Sequence, residues 1–214
     1  MDLDKSLLFK INNTNCVFRT INETDVTQEY IDGLKEQNKY IENIPPNVSI
    51  SRQQDYIKET INSKNNTICG LFLDGELVGT AGIQLSNSEI YVQDSENVIN
   101  NVATIGIFVF SKSCRGKGLG KTLVWASTYL LHNAIQLEWF FAGMEIDNIP
   151  SNKSFLSCGF KNIDNSGKDY KVKIKISDLK KPAFIKKVVI WYYGLQSLSH
   201  CPSACEFNPS TGEG

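Results

Sequence analysis

Ile107-Phe-Val-Phe-Ser-Lys-Ser-Cys-Arg-Gly-Lys-Gly-Leu-Gly-Lys-Thr122 decides how the rest of the chain is read. It begins inside an apolar run over residues 102–110, nearly continuous in β-prone residues, as a strand covered on both faces requires. A basic loop follows, in which glycines at 116, 118 and 120 let backbone amides approach and surround an anion. The stretch ends on Leu119-Gly-Lys-Thr-Leu-Val-Trp-Ala-Ser-Thr-Tyr-Leu-Leu131, whose apolar residues recur at three and four positions and predict an amphipathic helix. The positive N-terminal end of that helix points at the same spot, so strand, loop and helix together make an anion site. Two better-known phosphate loops do not fit. The pattern G-x-x-x-x-G-K-[ST] needs glycine where Arg115 stands ahead of Gly120-Lys121-Thr122, and G-x-G-x-x-G begun at Gly116 needs glycine at 121, where the chain has lysine.

Upstream, Ile68-Cys-Gly-Leu-Phe-Leu73, Asp74-Gly75 and Leu77-Val-Gly-Thr-Ala-Gly-Ile83 predict a hairpin, because Asp-Gly supplies the positive φ angles of a tight turn. Val17-Phe-Arg-Thr20 predicts a short strand, and Asn22-Glu-Thr-Asp25 offers caps for a helix expected to continue to about residue 39. After Pro45-Pro46, Ser51 is expected to cap a second helix through about residue 62, with Tyr56, Ile57 and Ile61 at helical spacing. Residues 86–100, rich in Asn, Ser and Asp, predict a loop with a short strand at Glu89-Ile-Tyr-Val92. Downstream, residues 137–146 predict an apolar strand and residues 151–157 a short helix before Gly159-Phe160. Tyr170-Lys-Val-Lys-Ile-Lys-Ile176 predicts a strand whose period of two puts Lys171, Lys173 and Lys175 on one solvated face.

This order predicts a layered α+β domain over residues 1–179 without internal repeats, and an extension over residues 180–214 whose last dozen residues are expected to be disordered. Within the extension, Phe184-Ile-Lys-Lys-Val-Val-Ile-Trp-Tyr-Tyr-Gly194 more naturally packs as a terminal helix, or forms the subunit contact of a homodimer, than lies at a membrane interface.

With 41% hydrophobic and 21% charged residues among 214, the chain is expected to fold and to bury its own core. A formal net charge of -1 lacks the positive field of a nucleic-acid-binding surface, so no nucleic-acid partner is expected. No apolar run reaches the roughly 20 residues of a membrane-spanning helix, and the N-terminal apolar run is too short for a secretory signal, so a cytoplasmic protein without an integral membrane segment is expected. Cysteines at 16, 69, 114, 158, 201 and 205 lack the spacing of a disulfide scaffold and are read as reduced thiols. His200, Cys201 and Cys205 lack a second ligand group, and no metal site is expected.

The R-x-x-G-x-G pattern of Arg115, Gly118 and Gly120 stands between an apolar strand and an amphipathic helix, and there the chain resembles the GNAT acyltransferases. Downstream, Ala142-Gly-Met-Glu-Ile-Asp-Asn-Ile-Pro-Ser-Asn-Lys-Ser-Phe-Leu-Ser-Cys-Gly-Phe160 is similar to the family's second signature, an Asn that opens a short helix ending in Gly-Phe. A lone glycine-rich loop is as often an ordinary turn, but two motifs at the expected separation are more specific than either. The resemblance spans about residues 17–176. It implies a mixed, mostly antiparallel central sheet with flanking helices and a splayed central strand pair. It also implies acetyl-CoA as cosubstrate and transfer of its acetyl group to a primary amine of a small-molecule acceptor. Backbone groups of Phe108 and Val109 would bond the pantetheine arm as an added strand does. The loop of Arg115, Gly116, Lys117, Gly118, Leu119, Gly120 and Lys121 would hold the pyrophosphate. Asn148 and Ser154 fall near the coenzyme's distal arm, although Asn148 serves equally well as a plain helix cap.

The family reaction is direct attack of a neutral amine on a thioester, with a backbone amide polarising the oxyanion and a base taking the ammonium proton. Here the chain departs from the pattern twice. Thr104 stands where many members have glutamate, and Phe155 where many have the tyrosine that protonates the leaving thiolate. The base is then sought at Glu145, at Tyr91 or Glu89, or in a water chain, with Glu145 preferred over Tyr91. Cys158 could donate to the thiolate, but a small buried hydrophobe is the plainer reading, and His132 reads as ordinary surface. Phe18-Arg-Thr-Ile-Asn-Glu-Thr-Asp-Val26, with Tyr30-Ile-Asp-Gly-Leu-Lys35 and Tyr40-Ile41, is similar to bacterial members that acetylate amino-sugar nucleotides, and also to members that modify ribosomal-protein N-termini. The amino sugar is preferred because a peptide acceptor would more naturally recruit an acidic groove. The missing Glu and Tyr keep open a catalytically inactive coenzyme-binding module.

Overall fold

Asp74 and Gly75, at φ of 46° and 91°, turn the chain between β3 (Asn66–Leu73) and β4 (Glu76–Ser86), the positive angles that make Asp-Gly a hairpin pair. The computed structural model describes residues 1, 3–36, 40, 47–86, 101–164 and 169–192. Around the hairpin lie β1 (Lys5–Ile11), β2 (Thr14–Thr20), α1 (Gln28–Glu36), α2 (Ile50–Asn62), β5 (Val102–Val109), α3 (Leu119–Ile135) and β6 (Trp139–Glu145). They are followed by α4 (Ile149–Ser157), β7 (Lys161–Asp164), β8 (Asp169–Lys175) and β9 (Ile185–Tyr192). The strands form one sheet in the order β7-β8-β6-β5-β4-β3-β2-β1-β9. Its described pairs are antiparallel except β5 with β6. This is the mixed, mostly antiparallel α+β fold that the motifs imply.

Two apolar layers cover the sheet. On one face Phe9, Phe18, Leu71, Ile105 and Phe140 pack against Leu123, Val124 and Leu130 of α3 and Phe155 of α4. Full burial of side chains of this size contributes about 1.5–3 kcal/mol each. Phe9 meets Trp125 edge to face at 5.7 Å, a preferred aromatic geometry. On the other face Phe72 and Phe108 pack against Tyr30, Ile31 and Leu34 of α1 and Ile57 of α2.

Local differences from the sequence reading have local causes. Asn22 and Asp25 do form a capping box, but it closes a single 3-10 turn over Glu23–Asp25, and α1 starts afresh at Gln28. Ser49, not Ser51, caps α2, its Oγ accepting from the Arg52 amide at 3.3 Å. Pro150 is accommodated in the first turn of α4, where no amide is needed, so that helix begins earlier than residue 151.

The larger difference is at the sheet edge. The apolar run of the extension is a strand, β9, antiparallel to β1 with a register shift between Leu8 and Lys10, and Ile185 is fully buried. Apolar runs of this length fit helix or strand alike, and the β-branched Ile185, Val188, Val189 and Ile190 favour the strand. The partner β1 is also a strand that the short N-terminal apolar run did not announce. Residues 2, 37–39, 41–46, 87–100, 165–168 and 193–214 lie outside the described set. With them lie the expectations for Pro45-Pro46, Glu89, Tyr91 and the strand beside them, His200, Cys201, Cys205 and the chain's end.

Candidate active site

The glycine loop leaves β5, makes a 3-10 turn over Lys112–Cys114, and enters α3 through Gly118, the N-cap residue, whose φ of 85° suits glycine. The Cys114 and Arg115 amides close that turn onto the Ser111 and Lys112 carbonyls. The Thr122 amide then makes the first helical bond, to the Gly118 carbonyl at 3.1 Å. Between these bonds the amides of residues 116–121 donate to no described residue. A run of open N–H groups at the positive end of a 17-residue helix is a place for an anion. Gly118 is hemmed in by the Phe184 ring, 2.9 Å from where a Cβ would sit, and Gly120 by Ser154 Oγ, 2.5 Å from its own.

Arg115 points away from the loop mouth. Its Nε donates to the Val109 carbonyl at 3.3 Å and its Nη2 to the Phe110 carbonyl at 3.2 Å, so the side chain ties the loop to the end of β5. The other end of the guanidinium reaches Glu36, the last residue of α1, at 3.4 and 3.5 Å, and Lys112 joins that carboxylate at 3.3 Å. Burial pushes the Glu36 carboxyl up, but Arg115 and Lys112 outweigh it and hold the group below its ordinary value. Glu36 was not apparent from the sequence, because 79 residues separate it from Arg115.

Next to the loop the sheet opens. β5 pairs with β4 along its whole length but with β6 only at Ala103–Phe140 and Thr104–Phe141. Beyond Thr104 the two strands diverge, which is the splayed pair that the motifs imply. Cross-strand side-chain contacts hold sheets together, and on the α1–α2 face the residues that would meet next are Gly106 and Gly143. Gly82 pairs with Gly106 from the other side. A Cβ on any of these three glycines would meet nothing within 4 Å among the described residues. They form a bare lane across β4, β5 and β6 on the α1–α2 face, bordered by Thr104 and Gln84.

Glu145 closes β6 on that same face, exposed and in register with Asp169. Thr104 is half-buried between Gln84 and Phe141. Phe155 is buried, edge to face with Phe160 at 5.0 Å. Cys158 is fully buried, its Sγ donating to the Lys121 carbonyl at 3.4 Å, and burial pushes its thiol up to about 11, so it is the small core residue of the plainer reading. Asn148 caps α4, its Oδ1 accepting from the Ser151 amide at 3.3 Å. Ser154 Oγ donates to the Pro150 carbonyl at 2.8 Å while abutting Gly120. Asn152, passed over in the sequence, has a buried Oδ1 with no partner among the described residues. His132 is half-buried, its Nδ1 2.8 Å from the Leu137 carbonyl, so it braces the end of α3. A cavity of about 400 Å³ lies away from the splay, lined by Trp125, Tyr129, His132 and Val188 towards the β1–β9 edge. Among the described residues no group of three or more His, Cys, Asp or Glu could hold a metal, and no helix is long and apolar enough to cross a membrane.

The sequence model of the acetyltransferase (GNAT) family matches residues 34–160. No curated protein matches. Among solved structures, an uncharacterized protein from Bacillus halodurans is 16% identical, with 83% of this chain and 93% of that one covered and a TM-score of 0.65. RimJ of Mycobacterium smegmatis, solved in complex with CoA-disulfide, is 17% identical over 86% and 94% of the two chains, TM-score 0.63. AAC(6')-Ib, solved with ribostamycin and coenzyme A, is 17% identical over 76% and 94%, TM-score 0.60. At these identities the likeness is one of fold.

Proposed function

Because this chain belongs to the GNAT family of acetyltransferases, matched over residues 34–160, we propose that it moves an acetyl group from acetyl-CoA to a primary amine of a small acceptor. The observation that carries the reading is the open run of amides over residues 116–121, at the N-terminus of α3 and beside the splay. Those amides, with Lys117 and Lys121 on either side, hold the coenzyme's pyrophosphate. The edge of β5 that β6 leaves unpaired, near Phe108 and Val109, takes the pantetheine arm as an added strand. Arg115 acts here through its grip on the Val109 and Phe110 carbonyls, which sets the loop against the strand end. Asn148 and Ser154 reach the distal arm from α4.

The acceptor lies on the bare lane of Gly82, Gly106 and Gly143, where peptide planes leave room for a ring. Its neutral amine attacks the thioester carbonyl, a β5 backbone amide stabilises the oxyanion, and collapse expels the thiolate without a covalent enzyme intermediate. Glu145 takes the ammonium proton, a role supported by its exposure on the acceptor face two residues beyond Gly143. Tyr91 is the second candidate for proton transfer. That RimJ and AAC(6')-Ib were solved with forms of coenzyme A supports the same cosubstrate here, and the aminoglycoside in the latter supports an amino-sugar acceptor. A second reading, a coenzyme-binding module without turnover, is favoured by Thr104 and the buried Phe155 at positions where the family's proton-transfer groups stand. On either reading the protein works in the cytoplasm.

Calorimetry with acetyl-CoA tests the site. Wild type is expected to bind in the micromolar range, about -8 kcal/mol. Gly118→Trp puts an indole where Phe184 already sits 2.9 Å from the new Cβ and is expected to abolish binding. No binding by wild type refutes the coenzyme reading. Binding without thiol release for any amine in a screen led by amino-sugar nucleotides selects the inactive module.

A further inference from the structure

The sheet ends on β7 at one side and on β9 at the other, and the two edges are guarded differently. An open strand edge presents unpaired N–H and C=O groups, and proteins that keep it free blunt it with shortness, charge or a bulge. β7 has all three: four residues, Lys161 and Asp164 at its ends, and a register shift against β8. β9 is twice as long, and its defences stop halfway. Lys186 and Lys187 are exposed, Lys187 sits at a φ of 50°, and the register against β1 shifts there, between Leu8 and Lys10. From Val188 to Tyr192 the strand is uncharged and made of β-branched and aromatic residues, and among the described residues no strand pairs with its outer edge. Val189 is 37% exposed and Tyr192 62%.

This stretch is complementary to itself. Val188 and Ile190 pack against the α3 layer and Trp191 against the α1–α2 layer, so alternation puts Tyr192 on the first face and Val189 on the second. Run antiparallel to a copy of itself about Ile190, the strand sets Val189 opposite Trp191 twice and Val188 opposite Tyr192 twice. Pairs of a β-branched with an aromatic residue are among those that stabilise a sheet. Centred on Val188 instead, the pairing would put Lys186 and Lys187 opposite Ile190 and Val189. The charges agree with the Ile190 register. Lys10 pairs with Lys186, so with Lys187 three positive charges gather at one end of the β1–β9 ribbon. Exposed Asp4 stands at the other end, where Lys5 is drawn to the Asn133 carbonyl of α3 at 2.5 Å. A two-fold copy brings the lysine end of each chain level with the Asp4 end of the other and keeps the lysine groups apart.

We propose that β9 is the docking edge for a second copy of this chain, the two β9 strands pairing antiparallel about Ile190 and joining two nine-stranded sheets into one. The contact is the same patch on both copies, so it closes as a dimer and does not propagate into fibres. In the strand order β5 stands on the far side of β4, β3, β2 and β1 from β9, so the splay stays open, and the inference does not depend on the acetyl-transfer reading.

Sedimentation velocity on the full chain tests it. Strand pairing over residues 188–192 makes a small interface, so wild type is expected to dimerise with a Kd in the micromolar range. Val189 and its copy lie diagonally across the two-fold axis, roughly 7–8 Å apart. Val189→Lys and Val189→Glu therefore each repel their own kind and are expected to weaken dimerisation about ten-fold or more. An equimolar mixture of the two variants is expected to recover the dimer, because opposite charges then face across the axis. Unfolding midpoints of the monomers check that both fold, and Tyr192→Glu, which removes both Val188 pairs at a more exposed position, replaces either one that does not. Wild type that stays monomeric through the micromolar range overturns the proposal. So does a dimer that ignores these substitutions, or a mixture that associates no better than its components.

Discussion

The two flanks of the splay between β5 and β6 are made of different material. On the α3 flank the site is backbone, with amides over residues 116–121 fixed by a 3-10 turn, a left-handed Gly118 and the first helical bond at Thr122. On the α1–α2 flank it is an absence of side chains at Gly82, Gly106 and Gly143, edged by groups from separate strands. The first flank is a consecutive segment and tolerates little change in shape. The second is assembled by register, so its chemistry can change residue by residue without disturbing the fold. Substitutions on the two sides should therefore fail in different ways: affinity for the coenzyme on one, turnover of the acceptor on the other.

The largest separation is expected from Glu145→Gln. With Glu145 as the base, kcat falls by about 10²-fold, while acetyl-CoA affinity and the unfolding midpoint hold. Pre-steady-state measurement of thiol release reads this directly. Unchanged kcat would remove Glu145 from the chemistry and move the search to Tyr91.

Gly120→Val sharpens the other side. Its Cβ would lie 2.5 Å from Ser154 Oγ and 3.3 Å from Ser154 Cβ, so α3 and α4 must part at the loop. Overpacking of this kind costs about 1–3 kcal/mol, and coenzyme affinity is expected to weaken about ten-fold as the amides shift. Adding Ser154→Ala relieves the clash with the hydroxyl and should recover part of both losses, a coupling that a double-mutant cycle measures. Full additivity would show that the two helices do not set the loop together.

The contrast also explains what the sequence disclosed. Arg115, Gly118 and Gly120 lie within one short segment, so strand, loop and helix could be read together, and Asn148 with Gly159-Phe160 supplied the second anchor. Asp74-Gly75 gave the hairpin for the same local reason. The bare lane could not be read, because Gly82, Gly106 and Gly143 become neighbours only through register. The Lys171 face was correctly read as alternating, but which face of the sheet it shared depends on β6 lying between β5 and β8. β9 was missed because an apolar run takes its structure from its partner, and its partner β1 is more than 170 residues away. Glu36 belongs with these, since a carboxylate at a helix end reads as surface until the fold brings Arg115 to it.

Glu36 is also where the two flanks touch, and it sets the smallest of these effects. It ends α1 and holds Arg115 and Lys112, so it joins a helix on the glycine-lane face to the loop before α3. At 41% side-chain exposure the pairs contribute little to overall stability, and Glu36→Gln should leave the unfolding midpoint nearly unchanged. Arg115 would still hold the Val109 and Phe110 carbonyls, so acetyl-CoA affinity is expected to fall only about two- to five-fold, and more at low salt than at high. The sign of the pH dependence follows from the direction of the shift. Although burial raises it, the Glu36 carboxyl is held by Arg115 and Lys112 below its ordinary 4.5, so the latch is intact above that value and is lost as pH falls through the lower folded-state value. A carbon-detected NMR titration of the Glu36 carboxyl should therefore show a midpoint below 4.5, moving upwards in Arg115→Gln. A midpoint that ignores Arg115 would mean that the two flanks are joined only through the sheet.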